Sequence, residues 1–210
     1  MPDTTVVHLL RHGEVNNPRG VLYGRLPGFH LSPEGEHMAK AAAAFLAGRD
    51  VTLLLSSPLE RALETAAPVA AQFGLEVGVD GRLIEPWNYF EGERFDVGLP
   101  ALRRPANWPR MANPFRPSWG EAYASIAARM HAVMTDAAQE ARGHEAVCVS
   151  HQLPIWVARR SAEGRRLWHH PGRRECALGS VTSFTCTDGT ITGVSYAEPS
   201  GHGRGGAHGA

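Results

Sequence analysis

Apolar residues follow two rhythms along this chain. Short unbroken runs at Val6-Val7-His8-Leu9-Leu10, Val51-Thr52-Leu53-Leu54-Leu55-Ser56 and Ala146-Val147-Cys148-Val149-Ser150 have the length and Val/Leu content of buried strands. Between them, apolar positions recur at helical spacing: Met38, Ala42, Phe45 and Leu46; Leu63, Ala66, Ala67, Ala70 and Phe73; then Ile126, Met130, Val133, Met134, Ala137, Ala138 and Ala141. The helix ends are marked as well. Ser32 caps and Pro33 suits a first helical position. Ser57-Pro58-Leu59-Glu60 predicts a second start with Ser57 as cap and Glu three residues on. Gly74 and Gly143 read as stops. A further helix is expected from Pro154 to about Ala162, and a short strand over Leu75–Val79. Residues 180–187 and 190–196 alternate around Asp188-Gly189, a hairpin signal. Strands alternating with helices predict an α/β protein: a three-layer α/β/α sandwich with a mostly parallel central sheet. There is no internal repeat.

Two stretches carry no periodicity. Residues 13–31 form a Gly-, Pro- and Asn-rich loop. Residues 80–119 are irregular and hold Trp87, Trp108 and Trp119 of the five tryptophans. We read about 86–119 as a cap insertion over the sheet edge within a single domain spanning 1–198, followed by a Gly/His-rich flexible tail at 199–210. Lys+Arg and Asp+Glu each number 21, which argues against a general nucleic-acid or membrane-surface binder. Lys40 is the only lysine, so the cationic side chains are otherwise the Arg fork that suits phosphate. Cys148, Cys176 and Cys186 are odd in number and contain no CxxC pair, which fits a reducing cytoplasm. No run approaches a membrane span, and the first residues lack a basic start and an apolar signal core, so a cytoplasmic location is expected.

The chemistry gathers at the strand ends. The first strand stops at Arg11-His12-Gly13-Glu14, and the third ends on His151. Arg61 lies at the start of the helix after the second. Carboxyl ends of parallel strands share one edge, where ligands bind, so two guanidiniums and two imidazoles can converge there. With no run of carboxylates nearby, that is an anion pocket. Taken singly, Arg61 reads as an exposed helix residue pairing with Glu60 or Glu64, and His151 alone is ambiguous. His8, mid-strand, reads as a satisfied core histidine. Arg82 and Glu121 read as salt-bridge or helix-start residues.

These residues resemble the histidine phosphatase superfamily, of phosphoglycerate-mutase-like fold. The resemblance rests on Leu10-Arg11-His12-Gly13-Glu14, Ser56-Ser57-Pro58-Leu59-Glu60-Arg61-Ala62-Leu63-Glu64-Thr65-Ala66 and Val149-Ser150-His151. Weaker matches are Leu31-Ser32-Pro33-Glu34-Gly35, Arg82-Leu83-Ile84-Glu85 and Gly120-Glu121. Order and spacing agree from about residue 5 to 197. The resemblance implies that His12 attacks phosphorus to form a phosphohistidine, while Arg11, Arg61 and His151 hold the phosphoryl oxygens. It implies Glu85 as the acid, with Glu91 and Glu93 close by as rivals. No cofactor and no metal are implied.

Two positions depart from the family pattern. Pro18 stands where members often have Asn, so Asn17 becomes the candidate phosphate donor. Gln152 replaces a frequent Gly after the second histidine; its backbone N–H is a candidate phosphate contact and its side chain either narrows the entrance or adds one. The aromatics and arginines of the insertion, such as Tyr89, Phe90, Arg103 and Arg110, suggest a small-molecule phosphate ester with an apolar part or a second anionic group. The expected activity is phosphomonoester hydrolysis. The alternatives are a phosphoglycerate-type mutase and a non-catalytic phosphate-sensing module. The sequence leaves the oligomeric state open.

Overall fold

The computed structural model describes residues 4–89, 91–92 and 120–201. In chain order the elements are β1 (Thr4–Arg11), α1 (Pro33–Leu46), β2 (Val51–Ser56), α2 (Glu60–Phe73), β3 (Gly78–Val79), α3 (Tyr123–Glu140), β4 (Glu145–Ser150), α4 (Gln152–Ala162), β5 (Val181–Thr187) and β6 (Thr190–Ala197). Short 3-10 turns lie at Gly81–Leu83 and Pro171–Arg173. One six-stranded sheet runs β3-β2-β4-β1-β5-β6. The β3, β2, β4 and β1 strands are mutually parallel, and β5 and β6 add an antiparallel edge.

Both faces of the sheet are covered, which explains the unbroken apolar runs. Odd positions of β1, Val7 and Leu9, pack with Ile126, Met130 and Val133 of α3 and Ile155 and Val157 of α4. Leu10 points the other way, toward Ala42 and Leu46 of α1 and Ala62, Ala66 and Val69 of α2. The expected three-layer, mostly parallel architecture is therefore the observed one.

Four local expectations change. Helix α2 begins at Glu60 with Leu59 as its cap residue, and Ser57 does not cap it. The Ser57 backbone N–H still donates to the Val149 carbonyl at 2.9 Å, so sheet pairing runs one residue past β2 and delays the helix. The predicted strand at 75–79 shrinks to Gly78–Val79, because the Leu75 N–H closes the end of α2 on the Ala70 carbonyl. Phe45 is 39% exposed, off the buried stripe, with the Arg49 guanidinium over its ring. Helix α3 is shorter than the predicted 120–142 at both ends. The hairpin turn at Asp188-Gly189 is as expected, with positive φ at both residues.

Most of the expected insertion (residues 90 and 93–119) and most of the expected tail (202–210) lie outside the described residues, Glu93 among them. Among the described residues, no helix is long and apolar enough to cross a membrane.

Candidate active site

Strand register builds the site. Arg11 of β1 pairs with Ser150 of β4, so His12 and His151 leave adjacent strands side by side. Their ring centroids are 5.1 Å apart. On the other side of β4, Ser56 pairs with Val149, which sets Ser57 next to His151. The serine that does not cap α2 instead meets His151 Nε2 at 2.8 Å through its Oγ.

The tautomer of His12 follows from its partner. Nδ1 lies 2.8 Å from the Gly13 carbonyl, which only accepts, so Nδ1 carries the proton and Nε2 keeps its lone pair. Burial, then the charges of Arg61 and Arg11, hold the His12 pKa well below the usual histidine value. His151 is depressed in the same way by burial, Arg61 and His12. Both rings are therefore neutral near pH 7.

Arg61 is fully buried, against the reading of an exposed helix residue. Its NH2 donates to the Gly24 carbonyl at 2.7 Å and lies 3.4 Å from His151 Nδ1. Tyr23 presents its ring 4.7 Å from the guanidinium carbon. Arg61 Nε and NH1 are buried with no hydrogen-bond partner among the described residues. Leaving such donors unmatched costs roughly 1–3 kcal/mol each, so a site with this arrangement is built to receive an acceptor. The carboxylates expected to pair with Arg61 serve the 13–31 loop instead. Glu60 accepts from the Gly28 N–H, and Glu64 from the Leu31 N–H and His30.

Arg11 donates through NH1 to the Cys176 carbonyl at 2.6 Å, which fixes its guanidinium at the strand end. Two glycines allow the nucleophile loop its path. A Cβ on Gly13 would meet the Gly35 backbone, and one on Gly35 would meet the Glu14 carbonyl. The Gly13 N–H is held by Thr65 Oγ1 at 3.1 Å.

Glu85 is brought in by β4: Ser150 Oγ donates to the Leu83 carbonyl, and Arg25 Nε to the Glu85 carbonyl. Its side chain is buried, with Oε2 3.9 Å from His151 Nδ1. Burial raises its pKa, opposed by Arg61, Arg174, Arg11 and Arg129. Glu91 sits differently. Its Oε1 accepts from the Asn88 N–H at 3.1 Å and closes a turn. Asn17 Nδ2 donates to the Val21 carbonyl at 2.8 Å and its Oδ1 accepts from the Val21 N–H at 3.1 Å, so its side chain braces the loop with one of its two N–H donors. Gln152 opens α4. Its Oε1 accepts from Arg174 at 3.2 Å, and its Nε2 lies 3.5 Å from the Cys176 carbonyl.

A family model for the histidine phosphatase superfamily (branch 1) matches residues 7–199. The chain belongs to this superfamily. An uncharacterized Mycobacterium tuberculosis protein, Rv0525, is 53% identical over 199 residues, covering 95% of this chain and 98% of that one. Glucosyl-3-phosphoglycerate phosphatase of Mycobacterium tuberculosis is 33% identical over 137 residues, 61% of this chain and 58% of that one. The solved structure of mycobacterial glucosyl-3-phosphoglycerate phosphatase Rv2419c superposes with a TM-score of 0.73 at 25% identity, covering 92% of this chain and 96% of that one.

For this histidine phosphatase superfamily member, sequence reasoning passed over Ser57 and Tyr23, which touch His151 and Arg61, and Arg174, which is bonded to Gln152 and His169. Tyr23 and Arg174 sit in segments without periodicity, where nothing local marks a residue as facing inward. Ser57 was visible but fitted a capping role. His8 is the satisfied core histidine expected, between Ser183 Oγ at 2.7 Å and Glu145 Oε2 at 2.6 Å. Arg82 and Glu121 are structural, tied to Asp80 and Asp136 and to Arg129 respectively. A cavity of about 610 Å³ near Thr5, His131 and Cys186 shares no residue with this pocket.

Proposed function

We propose that this protein is a phosphomonoesterase that hydrolyses a small organic phosphate through a phosphohistidine on His12. The observation that carries this reading is the pairing of a neutral imidazole, lone pair on Nε2, with the unmatched donors of buried Arg61. His12 Nε2 attacks phosphorus in line as the ester P–O bond breaks. Arg11, Arg61 and His151 hold the equatorial oxygens, where charge spreads in the transition state. Glu85, whose carboxyl pKa is pushed upward by burial, gives its proton to the leaving alkoxide. Water then attacks the phosphoenzyme, the Glu85 carboxylate takes a proton from it, and the P–N bond breaks. His12 returns neutral, and Glu85 is again an acid. Fixed guanidiniums supply the positive charge, so the reading routes no step through a metal.

Glu85 is favoured over Glu91 because it lies against His151 while Glu91 is engaged in a turn. Gln152 takes part through its place at the start of α4 and through its side-chain bond to Arg174. The glucosyl-3-phosphoglycerate phosphatase relative supports hydrolysis over transfer. The test is phosphate release from an aryl phosphate and a panel of sugar phosphates, phosphoglycerates and nucleotides. Wild-type protein is expected to release phosphate without priming, and His12→Ala to lose about three orders of magnitude or more. Turnover that requires a bisphosphate primer would instead mark a mutase. Phosphate binding without turnover would mark a sensing module.

A further inference from the structure

The chain between α4 and β5 crosses the end of β1, and residues 176–180 form a strap that holds Arg11 and His12 there. The Ser180 carbonyl accepts from the Arg11 N–H at 3.0 Å, and the Gly179 N–H donates to the His12 carbonyl at 3.2 Å. The Cys176 carbonyl accepts from Arg11 NH1 at 2.6 Å. The strap is a closed turn: the Ser180 N–H donates to the Ala177 carbonyl at 3.1 Å, and Gly179 takes φ +68. The bonds from Ser180 and Gly179 fix main chain. The bond from Cys176 reaches the guanidinium itself, and it rests on a single carbonyl.

What aims that carbonyl lies outside the pocket. The Cys176 C=O and the Ala177 N–H belong to one trans peptide unit, which is planar, so they point in opposite directions. On the far side, the Ala177 N–H donates to the Tyr196 hydroxyl at 2.9 Å. A rigid plane therefore carries the tyrosine contact across to Arg11. Tyr196 is itself held. Its hydroxyl donates to Glu198 Oε1 at 2.8 Å, which leaves a lone pair for the Ala177 N–H. Burial pushes its pKa up to about 12, so the hydroxyl stays protonated near neutral pH. Its backbone pairs with Thr182 of β5, and the Arg159 guanidinium lies 5.5 Å from its ring centroid. Arg159 in turn pairs with Glu175, the residue before Cys176, at 2.8 Å.

We infer that Tyr196 is a positioning residue for Arg11: its hydroxyl sets the tilt of the 176–177 peptide plane, and that plane sets where the guanidinium meets the phosphoryl oxygens. The inference rests on the hydrolase reading for what Arg11 does. It adds a residue of the edge strand β6 that acts only through another side chain. Without the hydroxyl the plane is free to rotate and its carbonyl leaves NH1. A clamp displaced even slightly then loses part of its hold on the transition state. A hydrogen-bonded N–H also polarises the carbonyl of its own peptide, so the tyrosine strengthens the Cys176 acceptor as well as aiming it.

Tyr196→Phe keeps the ring and its contact with Arg159 and removes only the hydroxyl. It should lower kcat by about three- to ten-fold, as the loss of one hydrogen bond does. The loss should be equal on an aryl and an alkyl phosphate, because Arg11 serves the phosphoryl oxygens and not the leaving group. The deciding measurement is a double-mutant cycle with Arg11→Ala, in which Tyr196→Phe should cost less than about two-fold. The same cycle is read in the affinity for vanadate, a phosphoryl mimic that needs no turnover. Glu198→Ala leaves the tyrosine in place but unties its hydroxyl, and should show the same coupling at about two- to three-fold. Additive losses in the cycle, or full activity in Tyr196→Phe, mean that Tyr196 supports the fold alone and overturn the inference. If phosphate is still released in a His12-dependent way alongside that result, the hydrolase reading stands. If wild-type protein binds vanadate with the expected coupling but releases phosphate from no ester, the hydrolase reading falls and the positioning role stands. Absence of both vanadate binding and turnover overturns both.

Discussion

At the residue scale, two groups with opposed pKa shifts divide the labour. His12 must be unprotonated to attack, and burial beside Arg61 and Arg11 moves its protonation well below 6.5. Glu85 must be protonated to serve the leaving group, and burial raises it above its ordinary value of 4.5 against Arg61, Arg174, Arg11 and Arg129, with His151 also adjacent. For an alkyl phosphate, kcat/KM is therefore expected to rise with pH as His12 loses its proton and to fall as Glu85 ionises. Glu85→Gln should abolish the alkaline limb and cut turnover of alkyl phosphates by about 10²–10⁴, the usual range for a general acid. An aryl phosphate, whose leaving group needs little help, should lose far less. The same dependence appearing in Glu91→Gln and not in Glu85→Gln would move the acid to Glu91. Arg61→Lys tests the clamp. An ammonium cannot present both Nε and NH1 to one phosphoryl group, so kcat is expected to drop by about 10²–10³, read in single-turnover assays.

At the scale of elements, the nucleophile is placed by contact between β1 and the start of α1. Ser32 Oγ donates to Glu14 and caps α1 through the Gly35 N–H at 3.0 Å. Gly35 lies so close to Glu14 that a methyl group would collide with the Glu14 carbonyl. Gly35→Ala is therefore expected to push the loop after His12 outward and depress kcat by about ten-fold or more, a displacement of roughly 1 Å being enough. Gly74→Ala provides the contrast. Gly74 ends α2 at φ +66 with open space where a Cβ would go, so the cost is backbone strain alone. About 1 kcal/mol of stability should be lost in denaturant titration, with kcat unchanged. The helices were legible because their stripes and stops are local. What the sequence left hidden is where pairing prevails over a local signal. Ser57 reads as a cap, but β4 holds its N–H and His151 holds its hydroxyl. Leu75–Val77 read as strand, but β3 pairs with β2 only through Gly78 and Val79.

At the scale of the whole molecule, the groups that announced themselves in sequence stand at strand ends, where register does the assembling. His12, His151 and Arg61 are legible together because parallel strands deliver their carboxyl ends to one edge. Arg174 and Tyr23 are not, since loops reach the pocket by long-range contact, and the bonds by which the Asn17 amide closes its own loop on Val21 are equally invisible in the sequence. Assembling such a pocket also shapes the stability of the entire chain. His8, His12, His151 and His169 are all held neutral by burial, with His169 down to about 4. Each has its folded pKa below the unfolded value of about 6.5, so the unfolded chain binds more protons below that pH. Their contribution is complete above 6.5 and lost as pH falls toward the folded values, at up to roughly 1.4 kcal/mol per pH unit for each histidine. Glu85 acts with the opposite sign: its pKa is raised on folding, so its contribution is complete below 4.5 and lost as pH rises through its folded value. Four histidines outweigh one carboxyl, and the unfolding free energy is expected to fall between pH 6.5 and 5. Urea titrations at pH 7, 6 and 5 measure it. His8→Gln, remote from the pocket, should flatten the slope by up to about 1.4 kcal/mol per pH unit. An unfolding free energy constant over that interval would mean that these rings take up protons without unfolding. The neutral nucleophile on which the hydrolytic chemistry depends would then be lost.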